Sequence, residues 1–456
     1  MAASLRCITP SDIRGRVPDE LNAALAARIA LAFVRYTASR HVALGRDVRP
    51  SSPELARAIG KALLAQGVSV TDLGLSGSEE LYFAVFNGEA AGIDGGIMVT
   101  ASHNPAEYNG MKLVGPGAAP ICQTNGLPEI VRLAETMTAM PDAAASPGHY
   151  AKQPDKSAYI RRILDIARPE KLPPFRIVVN SGNGCAGPVI DALAPHLPFE
   201  LIRLHHRPDG RFPNGVPNPL LPENRRDTSE AVIRQRAALG IAWDGDFDRC
   251  FFFDEKGRFI ESAYVVGLLA AAMLALHPGA AILHDARVVW NTEDMVARAH
   301  GRTIMAPSSH ALIKAAMRQS GAIYGGEMSA HHYFRDFGCC DSGILPWLLV
   351  CRLMAEQGQP LSALVAERIR AFPVSGEISL RLKTPAGAIL NTVRSRYADG
   401  VINESDGLSI SYPDFRFNLR PSSTEPLLRL NVETRGDERL LHDKTRELLA
   451  LLQPLV

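Results

Sequence analysis

Apolar and polar positions alternate between two periods along most of this chain. From Leu21 to Tyr36 the apolar residues recur every three to four positions, the spacing of a helix with one buried face. His41 to Leu44 follows as a short apolar run of strand character. The pair then repeats, with Pro53 to Gln66 reading as helix and Val68 to Leu73 as strand. Gly95 to Thr100 predicts a buried strand that runs into a polar loop. Phe175 to Val179 runs likewise into the Ser181-Gly182-Asn183-Gly184 turn, and Leu239 to Trp243 into an acidic loop. Such alternation predicts α/β layers rather than segregated helices and strands. Tyr264 to Leu276 is the greasiest stretch, but it stops at His277-Pro278-Gly279, well short of the ~20 residues of a membrane span. A buried helix is expected there.

Beyond Phe372-Pro373-Val374-Ser375-Gly376 the pattern changes. Glu377 to Leu382, Leu408 to Tyr412, Arg416 to Leu419 and Leu427 to Val432 read as strands of a smaller antiparallel unit, closed by a helix from Glu438 to Leu452. At 456 residues the chain exceeds one compact core, because domains run about 100–200 residues. The Ala/Pro/Gly-rich stretch from Met140 to Gly148 predicts a first linker, and Glu255-Lys256-Gly257 a second break. The expected fold class is therefore α/β: three successive α/β domains with mixed sheets (1–148, 149–254 and 255–371) and a smaller C-terminal α+β domain (372–456).

Composition narrows the function classes. Lys and Arg number 49 against 48 Asp and Glu, so no global field attracts nucleic acid or an anionic membrane, and any anion site must be local. The opening MAASLRCITPSDIRG has no apolar segment of the secretory kind. Seven cysteines lie scattered without CxxC spacing, which argues against a disulfide framework or zinc site and makes the cytoplasm the default compartment.

Four constellations carry chemistry. Thr100-Ala101-Ser102-His103-Asn104-Pro105, followed by Asn109-Gly110-Met111-Lys112, puts a serine at the exit of a buried strand, where α/β sheets bind ligands. Pro105 keeps Asn104 out of the helical region, so Ser102 is expected on a turn, presented rather than packed. A loop serine that caps a helix is the equal alternative. Asp244-Gly245-Asp246-Phe247-Asp248-Arg249 sets three carboxylates at alternate positions, which an extended segment points to one side. Crowded oxygen-only ligands suit Mg²⁺. An EF-hand is excluded because its sixth position needs Gly and here is Arg249. Gly325-Gly326-Glu327-Met328-Ser329-Ala330-His331-His332 offers a carboxylate and a hydroxyl to adjacent sugar hydroxyls, although alone it reads equally as a turn. Arg420-Pro421-Ser422-Ser423-Thr424-Glu425-Pro426 can cradle a phosphate. Asp12-Ile13-Arg14-Gly15, Arg287, and His310 with Lys314 are smaller candidates, and Asn180 to Gly184 reads as a structural turn.

Taken in order, SHNP with NGMK, DGDFDR, GEMSAHH and RPSSTEP resemble the α-D-phosphohexomutase family from end to end. DGDFDRCFFFDEKGRFIE and YGGEMSAHHYFRDFGCCDSGILPWLL are most similar to its bacterial members that act on mannose phosphates and supply GDP-mannose. The resemblance implies four domains around a central active-site cleft. It implies a phosphoserine at Ser102, with Mg²⁺ held by Asp244, Asp246 and Asp248 against its phosphate. Glu327 and Ser329 would grip sugar hydroxyls, with Arg287 among the substrate-binding residues. Arg420, Ser422, Ser423 and Thr424 would hold the non-reacting phosphate. Arg14, Lys112, Arg249, His310 and His331 would stabilise charge or carry protons.

The implied reaction interconverts mannose 6-phosphate and mannose 1-phosphate, with a hexose 1,6-bisphosphate as intermediate and primer. The expected partners are hexose phosphates, with neither nucleic acid nor membrane, and the expected assembly is a monomer or homodimer. Three positions depart from the family pattern: Ser11 replaces a tyrosine, Ser308-Ser309-His310 replaces Thr-Gly-His, and Ser422-Ser423-Thr424 replaces Ser-Asn-Thr. All touch ligand-contact regions rather than the serine or the acidic loop. Met328 between Glu327 and Ser329 favours mannose or glucose over glucosamine in the family pattern. Glucose phosphates remain the alternative substrate. A metal-dependent phosphatase and a non-catalytic phosphosugar-binding protein are the alternatives from other classes.

Overall fold

The computed structural model describes residues 5–137, 140–422 and 426–456. The chain divides into two compact units, Met1–Phe259 with His331–Ala355, and Ile260–Ala330 with Glu356–Val456.

The first unit opens with β1 (Ile13–Arg16), α1 (Ala23–Thr37), β2 (His41–Arg46), α2 (Ser52–Ala65), β3 (Ser69–Leu75), α3 (Ser78–Asn87), β4 (Gly95–Val99), β5 (Tyr108–Val114), α4 (Leu127–Thr136) and β6 (Tyr150–Lys152). These strands form a mixed sheet in the order β1-β5-β4-β2-β3-β6. Helix α1 begins where the Asn22 side chain accepts the Leu25 N–H, satisfying a donor the helix leaves open. Its buried face, Ile29, Ala30 and Phe33 among others, packs with Leu55, Ile59 and Leu63 of α2 and with Val42, Val70 and Ile97 of the sheet. Strand β4 is buried along its whole length. It lies centrally, and its exit is where the serine loop starts.

After α5 (Ser157–Ala167) a second sheet follows, built from β7 (Arg176–Asn180), α6 (Ala186–Leu193), β8 (Glu200–Leu204), α7 (Arg226–Gln235), β9 (Leu239–Trp243), β10 (Cys250–Phe253) and β11 (Phe259–Ile260). Its order is β11-β10-β9-β7-β8. Strand β9 is parallel to β7 and antiparallel to β10, so the acidic sequence between β9 and β10 forms the turn of a hairpin at the sheet's end.

In the second unit come α8 (Ser262–Leu276), β12 (Ala281–Asp285), α9 (Trp290–Arg298), β13 (Arg302–Ala306), α10 (His310–Ser320) and β14 (Tyr324–Gly326), with β12 pairing parallel to both β13 and β14. Helix α8 is the expected buried apolar helix. Among the described residues no helix is long and apolar enough to cross a membrane. The chain then returns to the first unit with β15 (His332–Phe334), β16 (Cys340–Asp341) and α11 (Leu345–Gln357).

The second unit ends with α12 (Leu361–Ala371), β17 (Ile378–Arg381), α13 (Ala386–Arg396), β18 (Val401–Asn403), β19 (Leu408–Ser411), β20 (Phe415–Pro421), β21 (Leu427–Thr434) and α14 (Glu438–Leu452). Its sheet is antiparallel throughout, in the order β17-β21-β20-β19-β18. Ile389 and Val393 of α13 and Leu441, Leu448 and Leu452 of α14 share one apolar core with Phe417, Leu419, Leu430 and Val432 of the sheet. Helix α13 has no counterpart in the sequence reading. Only Ile389 and Val393 of it are buried, a stripe too thin to stand out as periodicity.

Candidate functional site

Ser102 lies on a turn, as expected, but it is packed: 3% of it is exposed. Its φ of 48° is left-handed, a conformation that costs a serine roughly 1–3 kcal/mol unless neighbours enforce it. The enforcement is visible. The Ser102 N–H donates to Thr100 Oγ1 (2.9 Å), and that hydroxyl donates to Asp47 Oδ2 (2.8 Å). The fully buried Arg49 donates to the carbonyls of Ser102 (2.8 Å), Asn104 (2.6 Å), Pro105 (2.5 Å) and Tyr108 (2.9 Å), and its Nε is held by Asp47 Oδ2 (3.1 Å). Arg14, paired with Asp12 at 2.6 Å, donates to Asn104 Oδ1 at 2.7 Å. One guanidinium thus grips four carbonyls of the serine loop, between Ser102 and Tyr108.

The acidic loop differs from its expected form. It is a turn through Gly245 and Asp246, with Phe247 left-handed at φ 47°, rather than an extended segment. The carboxylates converge because the chain curls around them, not because side chains alternate. Gly245 is required: a Cβ there would meet the Ser102 carbonyl oxygen at 2.5 Å. Its own carbonyl accepts the Cys185 N–H (2.9 Å), so the Asn180 to Gly184 turn is a brace, as its reading as a structural turn anticipates.

The Ser102 hydroxyl donates to Asp244 Oδ2 at 2.6 Å. Lys112 Nζ lies 2.6 Å from Asp246 Oδ2 and 2.5 Å from Asp248 Oδ2, and Ser78 Oγ donates to Asp246 Oδ2 at 2.6 Å. Arg249 is 3.7 Å from Asp244 Oδ2, and its Nε donates to His331 Nε2 at 3.3 Å. His331 Nε2 also lies 3.5 Å from Asp248 Oδ1.

One ligand oxygen from each of Asp244, Asp246 and Asp248 falls within 4.8 Å of the others. Asp246 Oδ1 and Asp248 Oδ1 are buried with no hydrogen-bond donor. Orphaned buried carboxylate oxygens are costly, and a small hard cation relieves them, so this donor set fits Mg²⁺. The electrostatics agree. Burial, followed by Asp248 and Asp246, pushes the Asp244 carboxyl up to about 7. Burial acts the same way on Asp248, but Lys112 and His331 outweigh it and hold that carboxyl well below the usual range. Burial would lower the Lys112 ammonium, yet Asp246, Asp248 and Asp341 raise it, so it stays charged.

The second unit holds a different cluster. Arg287, just past β12, is 3% exposed and pairs with Asp285 at 2.6 Å. It also reaches Ser329 Oγ (3.3 Å), Glu327 Oε1 (3.5 Å) and Glu377 Oε2 (3.6 Å). The Met328 N–H donates to Asp285 Oδ2 (2.8 Å), which fixes the loop that carries Glu327 and Ser329. Arg429 pairs with Glu377 at 3.0 Å. Arg420, on β20, lies 3.8 Å from Asp406 Oδ2, which also accepts the Ser308 N–H (3.0 Å) two residues before His310. Burial and then the charges of Arg287 and Arg429 depress the Arg420 guanidinium, which places three arginines in one neighbourhood. Ser422 follows β20, its N–H bonded to the Leu427 carbonyl (2.8 Å), while Ser423 and Thr424 lie outside the described residues.

The first unit therefore gathers Ser102, Arg14, Lys112, the three aspartates, Arg249 and His331. The second gathers Arg287, Glu327, Ser329 and Arg420, with His310 opening α10 after the loop tied to Asp406. Sequence reasoning missed Asp47, Arg49, Ser78, Asp285, Glu377 and Asp406. For Asp47, Arg49 and Asp285 a signal existed, since charged residues at the last position of a buried strand or just past it have nowhere to go but the site.

Family models for phosphoglucomutase/phosphomannomutase match in chain order: alpha/beta/alpha domain I over residues 8–139, domain II over 157–257, domain III over 261–372 and the C-terminal domain over 377–449. The phosphomannomutase of Salmonella montevideo is 53% identical over 456 residues, covering 98% of this chain and 99% of that protein. A Xanthomonas campestris protein described as phosphohexose mutases is 51% identical, covering 97% and 98%. Among solved structures, a phosphoglucomutase/phosphomannomutase family protein from Burkholderia thailandensis superimposes with a TM-score of 0.87 at 31% identity, covering 100% of this chain and 99% of that one.

Proposed function

The chain belongs to the phosphoglucomutase/phosphomannomutase family, and from that premise we propose that it interconverts mannose 6-phosphate and mannose 1-phosphate by way of a phosphorylated Ser102. It is an intramolecular phosphotransferase, a phosphohexomutase. The observation that carries the reading is the Ser102 hydroxyl set 2.6 Å from Asp244, in a triad that keeps two buried oxygens without donors. Relatives named phosphomannomutase, at about half identity over nearly the whole chain, support mannose as the sugar.

In the proposed cycle a hydroxyl of a hexose 6-phosphate attacks the phosphorus on Ser102. The new O–P bond forms as the serine Oγ–P bond breaks, the sugar hydroxyl gives up its proton as the Ser102 oxygen takes one up, and Ser102 is left as a free hydroxyl beside a hexose 1,6-bisphosphate. The bisphosphate turns end for end and returns its other phosphate to Ser102. A phosphoserine carries about −1.5 to −2 charge at neutral pH, so transfer needs cations in place beforehand. Asp244, Asp246 and Asp248 would hold Mg²⁺, which when bound neutralises charge on the phosphoryl group. Lys112 and Arg249 add fixed positive charge. His331, with Nε2 beside Arg249 and Asp248, serves with His310 and Arg14 as a charge-stabilising or proton-carrying group. Glu327 and Ser329 accept and donate to sugar hydroxyls, while Arg287, Arg420 and the Ser422-Ser423-Thr424 segment hold the phosphate that is not transferred. The division into domains at 148, 254 and 371 belongs to this reading, one loop per domain.

The test is a coupled assay with Mg²⁺ and a trace of hexose 1,6-bisphosphate, comparing mannose 1-phosphate with glucose 1-phosphate. It is joined to an intact-mass measurement for one phosphoryl group per chain. Faster turnover of mannose 1-phosphate is expected. Faster glucose 1-phosphate turnover would move the assignment to phosphoglucomutase. Inorganic phosphate released without isomerisation would make the protein a phosphatase, and binding without serine phosphorylation would end the catalytic reading.

A further inference from the structure

The acidic loop is held from two sides, and both holds meet at one carboxyl group outside the site. On one side, the start of α3 presses on the loop. The Ser78 N–H donates to the Asp246 carbonyl (3.2 Å), Ser78 Oγ donates to Asp246 Oδ2 (2.6 Å), and a Cβ on Gly77 would meet the Asp246 carbonyl oxygen at 2.5 Å. On the other side, the turn between β16 and α11 packs on the loop's second half. The Trp243 indole N–H donates to the Gly343 carbonyl (2.7 Å). A Cβ on Gly343 would run into the Phe247 carbonyl oxygen and meet that of Arg249 at 3.1 Å.

Glu79, the residue after Ser78, is fully buried and joins these holds. Its Oε2 accepts the N–H groups of Gly343 (2.5 Å) and Ile344 (3.3 Å). Its Oε1 accepts from Ser342 Oγ (3.2 Å) and the Tyr159 hydroxyl. None of these four donors is a cation, so the group is not one half of an ion pair. It is an acceptor placed where a turn brings its N–H groups.

We infer that Glu79 is a positioning residue for the cation site: it locks the Ser342-Gly343-Ile344 turn to the start of α3 and so holds Asp246 and Asp248 at ligating distance. The inference rests on the metal reading of the acidic loop and deepens it. Residues that orient ligands from behind typically alter metal affinity 10–100-fold when removed.

The test uses the metal-free full-length chain titrated with Mn²⁺, free Mn²⁺ being read by electron paramagnetic resonance. Wild type binds one Mn²⁺ per chain. Glu79→Ala weakens binding about tenfold or more, and Glu79→Gln, which keeps a carbonyl oxygen for Gly343 and Ile344, restores most of it. Tyr159→Phe removes a bond to the same carboxyl without touching the turn, so it lowers Tm and leaves Mn²⁺ affinity unchanged. Wild-type affinity in Glu79→Ala would overturn the inference, as would a loss in Tyr159→Phe that follows its Tm. Should Glu79→Ala not fold, Gly343→Ala displaces the same turn from the other end and must weaken Mn²⁺; wild-type affinity there overturns the inference too. If wild type itself binds no Mn²⁺, it is the metal reading that fails, and this inference falls with it.

Discussion

The charged centre of the first unit is nearly sealed, with Asp244, Asp246 and Asp248 at 0–1% exposure and Lys112 at 4%. In the second unit Arg287 and Asp285 are as closed, at 3% and 2%, but Arg420, Glu377 and Arg429 keep 15%, 19% and 22% of their side chains open. The chemistry differs in the same sense. Around Ser102, carboxylate oxygens outnumber donors and two are left over. Around Arg287, each neighbouring carboxylate already faces a guanidinium, from Asp285 at 2.6 Å to Glu377 at 3.6 Å. The first centre has room in its donor set for a cation beyond Lys112 and leaves little room for error. The second pairs each carboxylate with a guanidinium, and a phosphate entering it would compete for arginines that are already engaged. The proposed cycle puts bond-making chemistry in the first and recognition in the second, so substitutions in the two should fail in different ways.

The largest expected effect is at Ser102. Ser102→Ala removes the atom that the proposed cycle phosphorylates, and loss of a nucleophile typically costs on the order of 10⁴–10⁶ in turnover. Exchange of labelled phosphate between sugar and protein should vanish, and so should the phosphoryl mass on the intact chain. Normal turnover in this variant would dissolve the contrast between the two centres altogether. Next comes Asp246→Asn, which keeps shape but removes charge from an oxygen with no donor. Mn²⁺ affinity and kcat should both fall roughly 10²-fold, with KM for the hexose phosphate little changed. A variant that binds Mn²⁺ normally would mean that Lys112 alone neutralises the triad.

Arg420→Ala tests the other side. A charge-assisted hydrogen bond contributes about 1.5–3 kcal/mol, so KM for mannose 1-phosphate should rise about 10–100-fold while kcat falls much less. A loss confined to kcat would place this arginine with the bond-making groups and blur the division.

Most of the fold was legible in the sequence, because its strands are short apolar runs with sharp polar ends. The run Leu239 to Trp243 coincides with β9, and Glu438 to Leu452 with α14. Ser102 and the three aspartates were legible because a crowd of acids after a buried strand has few structural uses. The groups behind them were not. Arg49 and Glu79 act through backbone carbonyls and N–H groups of residues far along the chain, and such partners leave no mark on local pattern. The shape of the acidic loop was misread for a related reason. Its curl is imposed by the Gly245 contact with the Ser102 carbonyl, a tertiary constraint that strand alternation cannot express.

The smallest expected effect sharpens the comparison, because each unit buries a carboxyl that is not part of a site. Glu433 in the second unit faces Arg416 at 3.0 Å, whereas Glu79 in the first has four donors and no cation. Burial pushes Glu79 up to about 8 from an ordinary 4.5, with the hydrogen bonds only partly opposing it. Between those two values the folded chain keeps a proton that the unfolded chain has released. Stability from this group is therefore complete below the ordinary value and is lost as pH rises toward about 8, by up to about 1.4 kcal/mol per pH unit. Tyr159, pushed well above its ordinary range by burial and then by Glu79, stays neutral throughout and does not mask the trend. Glutamine cannot titrate, so the Tm of Glu79→Gln should fall furthest below wild type near pH 5.5, and the gap should close toward pH 7.5. Thermal melts of both proteins across that range read the difference directly. A gap that stays constant would mean that four neutral donors hold the Glu79 carboxylate charged in spite of its burial.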